Sequence, residues 1–349
     1  MTRIPVSILG ATGTVGQKFV RLLDGHPWFE VVALAASEHS AGKRYGDVVR
    51  WREPVPIPAH LADLVIRPCA VPLEGTIAFS ALDNSVAGTV ERAFAAAGKF
   101  VVTNASHHRM HPLVPLVVPE INADHLGLLA KQRATERWTG AVVANPNCTT
   151  IGLVLALAPL HQAFGVTKLV VSTMQAISGS GYPGVPSLDI LGNVIPFISH
   201  EEEKVEAETR KILGTLGDFV ADAPIAVSAH TNRVPVIDGH TETVSVALGE
   251  RVTPEQAAAV WRAWTGRAEA RELPSTPKEI VAVDERPDRP QPRLDIERGR
   301  GMTVTVGRVR PCPVFDLRFV LLSHNTVRGA AGAAIQNAEL LVAQGIVSR

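Results

Sequence analysis

The chain is poor in three things, and each shortage excludes something. Cysteine is sparse: only Cys69, Cys148 and Cys312 occur in 349 residues. An odd set of three without metal-type spacing argues against a disulfide framework and predicts no metal centre, and a reducing cytoplasm is the expected compartment. Net charge is lacking, with 34 Lys plus Arg against 34 Asp plus Glu. No global field then draws the chain to nucleic acid or to an anionic membrane, and neither is expected as a partner, although a local basic pocket for one phosphate stays open. Long apolar runs are missing too. The best candidate, Ile151–Leu160, interrupted at Pro159, falls short of the ~18 residues that a membrane span needs. Met1–Gly10 lacks the charged, apolar, small-residue succession of a secretory signal and reads as a strand entering a glycine turn. No internal repeat or low-complexity tract is visible.

What is present is the composition of a folded protein, 46% hydrophobic and 19% charged, at a length that predicts two domains. Ile4–Leu9 reads as a strand, Gly13–Leu23 as a helix and Glu30–Ala36 as a second strand. Thr76–Ser80, the Ala-rich helix Ala87–Gly98 and the strand Phe100–Asn104 continue the alternation. Strands alternating with helices imply βαβ units and a parallel sheet, so the fold class is α/β with a Rossmann-like domain. The three prolines of Arg50–Pro58 make it a connection or an edge. Beyond Cys148 the texture becomes that of an α+β domain with a mostly antiparallel sheet. A helical Thr149–Phe164 leads to the strand-like Lys168–Ile177, the Gly/Pro loop Ser178–Pro186 and a helical Glu201–Leu216. Ala226–Ile237 and Thr241–Leu248 flank Asp238-Gly239, a hairpin signal. Arg286–Pro292 looks like an exposed loop, Thr303–Arg310 and Phe315–Leu322 like strands, and Ala330–Gln344 like a closing helix.

Two stretches carry chemistry. Gly10, Thr12, Gly13, Thr14, Val15 and Gly16 follow a strand and open a helix, the context in which a glycine turn brings backbone N–H groups and a helix N-terminus to a dinucleotide pyrophosphate. Spacing is GxxGxxG rather than GxGxxG, and the plain alternative is an ordinary strand-to-helix turn. After the second strand, Ser37, Ser40 and Lys43 are placed to hold a 2′-phosphate, which favours NADP over NAD, while Glu38 would oppose it if turned inward. The second stretch, Asn145-Pro146-Asn147-Cys148-Thr149-Thr150, puts a thiol at a helix start. There the dipole and free N–H groups are expected to lower its pKa from about 8.5 and to stabilise an oxyanion. The alternative is a small buried hydrophobe, but the polar turn around Cys148 is unlike a core; Cys69 and Cys312 are read as structural. His107, His108 and His111, near Arg109, are read as solvated loop histidines. His240 stands out as a partner for the thiol, because it follows Asp238-Gly239 and lies near Arg233.

Taken together, Gly10–Gly16, Asn104–Arg109, Val118–Asn122, Asn145–Thr150, Gln175–Gly179, Glu201–Leu213, Asn232–His240 and His324–Gly332 resemble the aspartate-semialdehyde dehydrogenase family, in its archaeal and fungal-type branch. The resemblance implies NADPH-dependent, reversible reductive dephosphorylation of L-aspartyl phosphate. Cys148 would be the nucleophile, His240 the general acid/base and Gln175 the residue that orients the acyl group. Arg233 would grip the substrate carboxylate, Glu201 its ammonium, and Arg109 and Lys204 its phosphate, with Asn104 beside them. For Glu201 and Lys204 the pattern alone also allows a solvated helix face, and for Arg233 a surface ion pair. Ser80, Ser178, Gly179, Asn325 and Thr326 would join the glycine turn at the cofactor. Residues 1–147 with 324–349 would form the NAD(P)-binding domain, and 148–323 a catalytic and dimerisation domain. Partners would be a small-molecule substrate, inorganic phosphate and a second or fourth copy of the chain. One departure stands out: His39 occupies the place where relatives of this branch often carry an arginine, leaving NAD open as a cofactor. Rival readings are a malonyl-CoA or N-acetyl-glutamyl-phosphate reductase, and a dinucleotide-binding redox sensor without turnover.

Overall fold

The computed structural model describes residues 2–348. Strands β1 (Ile4–Leu9), β2 (Phe29–Ala36), β3 (Arg67–Pro68), β4 (Ile77–Ser80), β5 (Phe100–Thr103) and β6 (Ala141–Ala144) form one sheet in the order β3-β2-β1-β4-β5-β6. All its pairings are parallel. Every residue of β4, β5 and β6 is buried, as expected of parallel strands covered on both faces. Helices Thr14–Leu23 and Asn84–Ala96 are among the covering elements. The closing helix Gly332–Ala343 packs on the same sheet, and its Ala334, Ile335 and Leu341 share an apolar cluster with Val6, Ile8 and Phe79.

The second sheet contains β7 (Val166–Gln175), β10 (Ala226–Arg233), β11 (His240–Leu248), β12 (Val281–Asp284), β13 (Val304–Pro311) and β14 (Leu317–Ser323), ordered β10-β7-β11-β14-β13-β12. A small ribbon of β8 (Thr215–Leu216) and β9 (Val220–Ala221) stands apart. The sheet is mixed: three of its five pairings are antiparallel, as expected, and its two edge strands pair in parallel. The hairpin expected across Asp238-Gly239 does not form. Strand β7 lies between β10 and β11, parallel to one and antiparallel to the other. A turn signal reports the local bend; it carries no information about a third strand inserted from elsewhere.

Helix Cys148–Phe164 joins the two halves. It is apolar around its circumference because β7, β11 and β14 lie on one side and helices Glu201–Ile212 and Pro254–Ala263 on others, the pattern of a helix buried on all faces. One face of the second sheet carries Ser228, His230, Val170 and Thr243 exposed. Among the described residues no helix is long and apolar enough to cross a membrane.

Candidate active site

The carboxyl ends of β1, β6 and β7 meet around a cleft of about 500 Å³, the location at which open parallel sheets place ligands. The glycine turn leaves β1. Gly10 has φ +78°, and a Cβ there would sit 2.6 Å from the Ala81 carbonyl oxygen. A Cβ on Gly16 would come 2.2 Å from the Gly10 oxygen, whereas one on Gly13 would meet only that oxygen, at 3.4 Å. Gly10 and Gly16 are therefore required by packing, and Gly13 leaves the helix end open. Gly13 caps helix Thr14–Leu23 without a side-chain hydrogen bond. A close-approach turn ending in uncapped N–H groups fits a dinucleotide pyrophosphate.

Cys148 begins the helix after β6. Asn147 caps it: its Oδ1 accepts from the N–H groups of Thr149 and Thr150 at 2.9 and 3.1 Å. Those two donors are thus spent, which corrects the expectation that they stabilise an oxyanion. The thiol pKa is also not lowered. Burial, reinforced by the Glu201 carboxylate, pushes it up to about 12, while Arg109 and Arg233 pull it down. Removing solvent from a thiolate outweighs one helix end already occupied by its own cap.

The sulfur has a fixed partner. Sγ lies 3.2 Å from Nε2 of His240, and Nδ1 of the same ring accepts from the Ala176 N–H at 3.1 Å. A ring nitrogen that accepts carries no proton, so the neutral imidazole holds its proton on Nε2, facing sulfur. Burial, with Arg233 nearby, pushes the His240 pKa down to about 3 and keeps the ring neutral. In that tautomer His240 donates to sulfur. The carbonyl of Ala176, in the next peptide group, accepts from Arg233 Nη1 at 2.7 Å. Arg233 ends β10 opposite Gln175 at the end of β7, and His240 starts β11. Three strand ends thus converge without a hairpin. Gln175 is 1% exposed, lines the cleft, and its Nε2 is a buried donor without a hydrogen-bond partner among the described residues. Gly179 lets the loop after β7 pass over these groups, since a Cβ there would lie 2.9 Å from Arg233 Nη1.

Helix Glu201–Ile212 supplies the rest. Glu201 accepts from Asn147 Nδ2 at 2.8 Å and pairs with Lys204 at 3.5 Å, and both line the cleft. Their acidic neighbours serve the backbone instead: Glu202 and Glu206 accept from the N–H groups of Thr231 and Ala229 on edge strand β10. Glu208, unremarked in the sequence, is the hub. One oxygen accepts from Arg109 Nη1 at 3.0 Å and the other from the Asn147 N–H at 2.6 Å. Arg109 Nη2 donates to the Asn104 carbonyl, and Asn104 Oδ1 accepts from Asn145. Asn325 accepts from Gly239 N–H and donates to Ser178 Oγ, both at 2.8 Å, and Thr326 lines the cleft beside Thr14 and Val15.

Two expected cofactor residues lie apart from the cleft, and one histidine is not solvated as expected. Ser80 is buried, and its hydroxyl donates to Glu91 at 2.6 Å rather than facing a ligand. Ser37 is exposed and lines neither the cleft nor the basin next to it, whereas Thr12, Ser40 and Lys43 line that basin. His108 is buried beside Glu91 rather than solvated, while His107 is exposed.

Residues 5–129 match the family model described as "Semialdehyde dehydrogenase, NAD binding domain", and residues 157–328 the one described as "Semialdehyde dehydrogenase, dimerisation domain". The chain is 49% identical to the aspartate-semialdehyde dehydrogenase of Archaeoglobus fulgidus, covering 99% of this chain and 100% of that one. It is 47% identical to the enzyme of that name from Cryptococcus neoformans, over 99% and 98%. Among solved structures, aspartate semialdehyde dehydrogenase with NADP from Candida albicans superposes with a TM-score of 0.91 at 42% identity, covering 99% and 100% of the two chains.

Proposed function

The chain belongs to the aspartate-semialdehyde dehydrogenase family, and from that premise we propose that it reduces L-aspartyl 4-phosphate to L-aspartate 4-semialdehyde, reversibly, with NADPH. The observation that carries the reading is Cys148 Sγ held 3.2 Å from a neutral, tautomer-locked His240, on the floor of a cleft walled by opposite charges.

Arg233 receives the substrate carboxylate as a bidentate fork, and Glu201 its ammonium group. Lys204 and Arg109 hold the phosphate, with Asn104 bracing Arg109. Cys148 gives its proton to cleft water, from which the departing phosphate recovers one, and attacks the acyl carbon as thiolate. The oxyanion that forms meets the free Nε2 donor of Gln175, and phosphate leaves with the bonding pair, giving a thioester. Gly10, Thr12, Gly13, Thr14, Val15 and Gly16, with Ser178, Gly179, Asn325 and Thr326, would hold NADPH, which would supply the hydride. The second oxyanion then collapses to the aldehyde and expels the thiolate, which the Nε2–H of His240 stabilises. This sequence requires no proton from the imidazole, as the locked tautomer demands. Splitting one displacement into two is the gain of covalent catalysis.

The paired Arg233 and Glu201 favour an amino acid over malonyl-CoA, which has no ammonium group for Glu201. Residues 1–147 with 324–349 are the cofactor domain, supported by the shared apolar cluster of the closing helix and β1. Residues 148–323 carry catalysis and assembly into a homodimer or homotetramer, supported by the family model's description and the uncovered sheet face. The working compartment is the cytoplasm, supported by the free cysteines. The test is NADPH formation from L-aspartate semialdehyde, phosphate and NADP, with Cys148→Ala as the control. Turnover of malonyl-CoA with none of the semialdehyde would overturn the substrate assignment.

A further inference from the structure

A second pocket, of about 410 Å³, adjoins the glycine turn, and Cys148 does not line it. Thr12, then His39, Ser40 and Lys43 from the loop after β2, and Arg50, Arg52 and Tyr182 are among the residues that line it. No carboxylate lines it. Among the described residues neither Arg50 nor Arg52 has an acidic partner, and the neighbouring carboxylate, Glu53, is taken by Lys18 and Arg21 at 2.9 Å each.

The arginines are held in place deliberately. Gln17, 3% exposed, donates to the carbonyls of Thr12 and Arg50 and accepts from the Arg52 N–H, so one side chain staples residues 50–52 to the glycine turn. Arg52 lies over the Tyr182 ring, 3.7 Å from its centroid, and Arg50 Nη1 donates to the Tyr182 hydroxyl at 3.0 Å. A guanidinium stacked by its face keeps its N–H edge available for an oxyanion.

A dinucleotide whose pyrophosphate sits on the Thr14 helix directs its adenosine ribose past the end of β2, where an acid selects a 2′-hydroxyl and an arginine a 2′-phosphate. That position lies in this pocket. We propose that Arg50 and Arg52, delivered by the proline-rich segment after β2 and steadied by Tyr182, bind the 2′-phosphate and set the preference for NADP, in place of an arginine at position 39. Tyr182 follows β7, so the contact also closes the loop after β7 over the cofactor's adenosine end. The inference rests on the proposed use of NADP.

Calorimetric titration tests it without turnover. The ligands are NADP, NAD, 2′-AMP and 5′-AMP, and the proteins are wild type, Arg50→Ala, Arg52→Ala and Tyr182→Phe. Both arginines are exposed, so neither truncation threatens the fold. Each arginine variant should bind NADP and 2′-AMP about 10- to 100-fold more weakly, with NAD and 5′-AMP changed less than about twofold. Tyr182→Phe keeps the stacked ring and should lose only a few-fold. If wild type binds neither dinucleotide, the proposed function and this inference fall together. If wild type prefers NADP and both arginine variants keep that preference, this inference alone is overturned.

Discussion

Two helices start from strands of the same sheet and face the same cleft, yet their N-termini are finished in opposite ways. Helix Thr14–Leu23 begins at Gly13 with no side-chain cap, so its N–H groups stay free for an anion. Helix Cys148–Phe164 begins under Asn147, whose carbonyl takes two of those donors. An end that satisfies its own backbone stabilises the fold and forgoes the ligand; an end left open does the reverse. On the proposed mechanism the negative charge at the cysteine helix is borne by side chains from elsewhere, namely His240, Arg109 and Arg233, while the dinucleotide's pyrophosphate rests on main chain.

Substitutions at the two ends sharpen that contrast. Cys148→Ala should lower phosphate-dependent semialdehyde oxidation by about 10,000-fold or more, with NADP affinity by titration within about twofold. Retained turnover would remove the thioester. His240→Ala should cost about 100- to 1,000-fold in kcat, the loss of one donor to a developing anion. Because the His240 pKa lies down at about 3, the ring stays neutral through the working range, and its titration should add no inflection near neutral pH to the rate profile.

The thiol moves the other way. With its pKa raised to about 12, the thiolate fraction climbs with pH until that value is reached. Iodoacetamide labelling of Cys148, followed by mass mapping, should therefore rise about tenfold per pH unit above neutrality, as reactivity follows thiolate. A plateau near neutral pH would mean that the helix end governs the sulfur after all. Gly13→Ser fits sterically, with one contact at 3.4 Å, and supplies a cap where an anion belongs. It should weaken NADP binding about tenfold and change stability by only a few tenths of a kcal/mol. Asn147→Ala should show the mirror image, a loss of about 1–2 kcal/mol in thermal unfolding and little change in NADP affinity.

The same contrast explains what could be read before the structure. The glycine turn and the Asn-Pro-Asn-Cys run are contiguous, so residue type and spacing carried them, and the alternation of strands and helices carried the parallel sheet. Gln175, Glu201 and Lys204 were legible only through the family resemblance, because nothing local separates Glu201 in the cleft from Glu202 and Glu206 on the edge strand. The second sheet misled. Asp238-Gly239 does turn the chain, but β7 intervenes, and a pairing 64 residues away, Ala176 with His240, decides the tautomer. Glu208 reaches 61 residues to Asn147 and 99 to Arg109, and Gln17 reaches across to Arg50 and Arg52. Contacts closed over such separations leave no periodic trace.

The carbonyl of Ala176 holds the arginine, and the same residue's N–H, in the Gln175–Ala176 linkage, holds the imidazole. A duty discharged by main chain survives replacement of the methyl group it carries, so alanine scanning passes over it and a small residue exchanged there leaves the chemistry intact. Only an imino acid, which has no hydrogen to give, or an ester-for-amide exchange at that linkage would expose how much of the histidine's behaviour is borrowed from its neighbour's backbone.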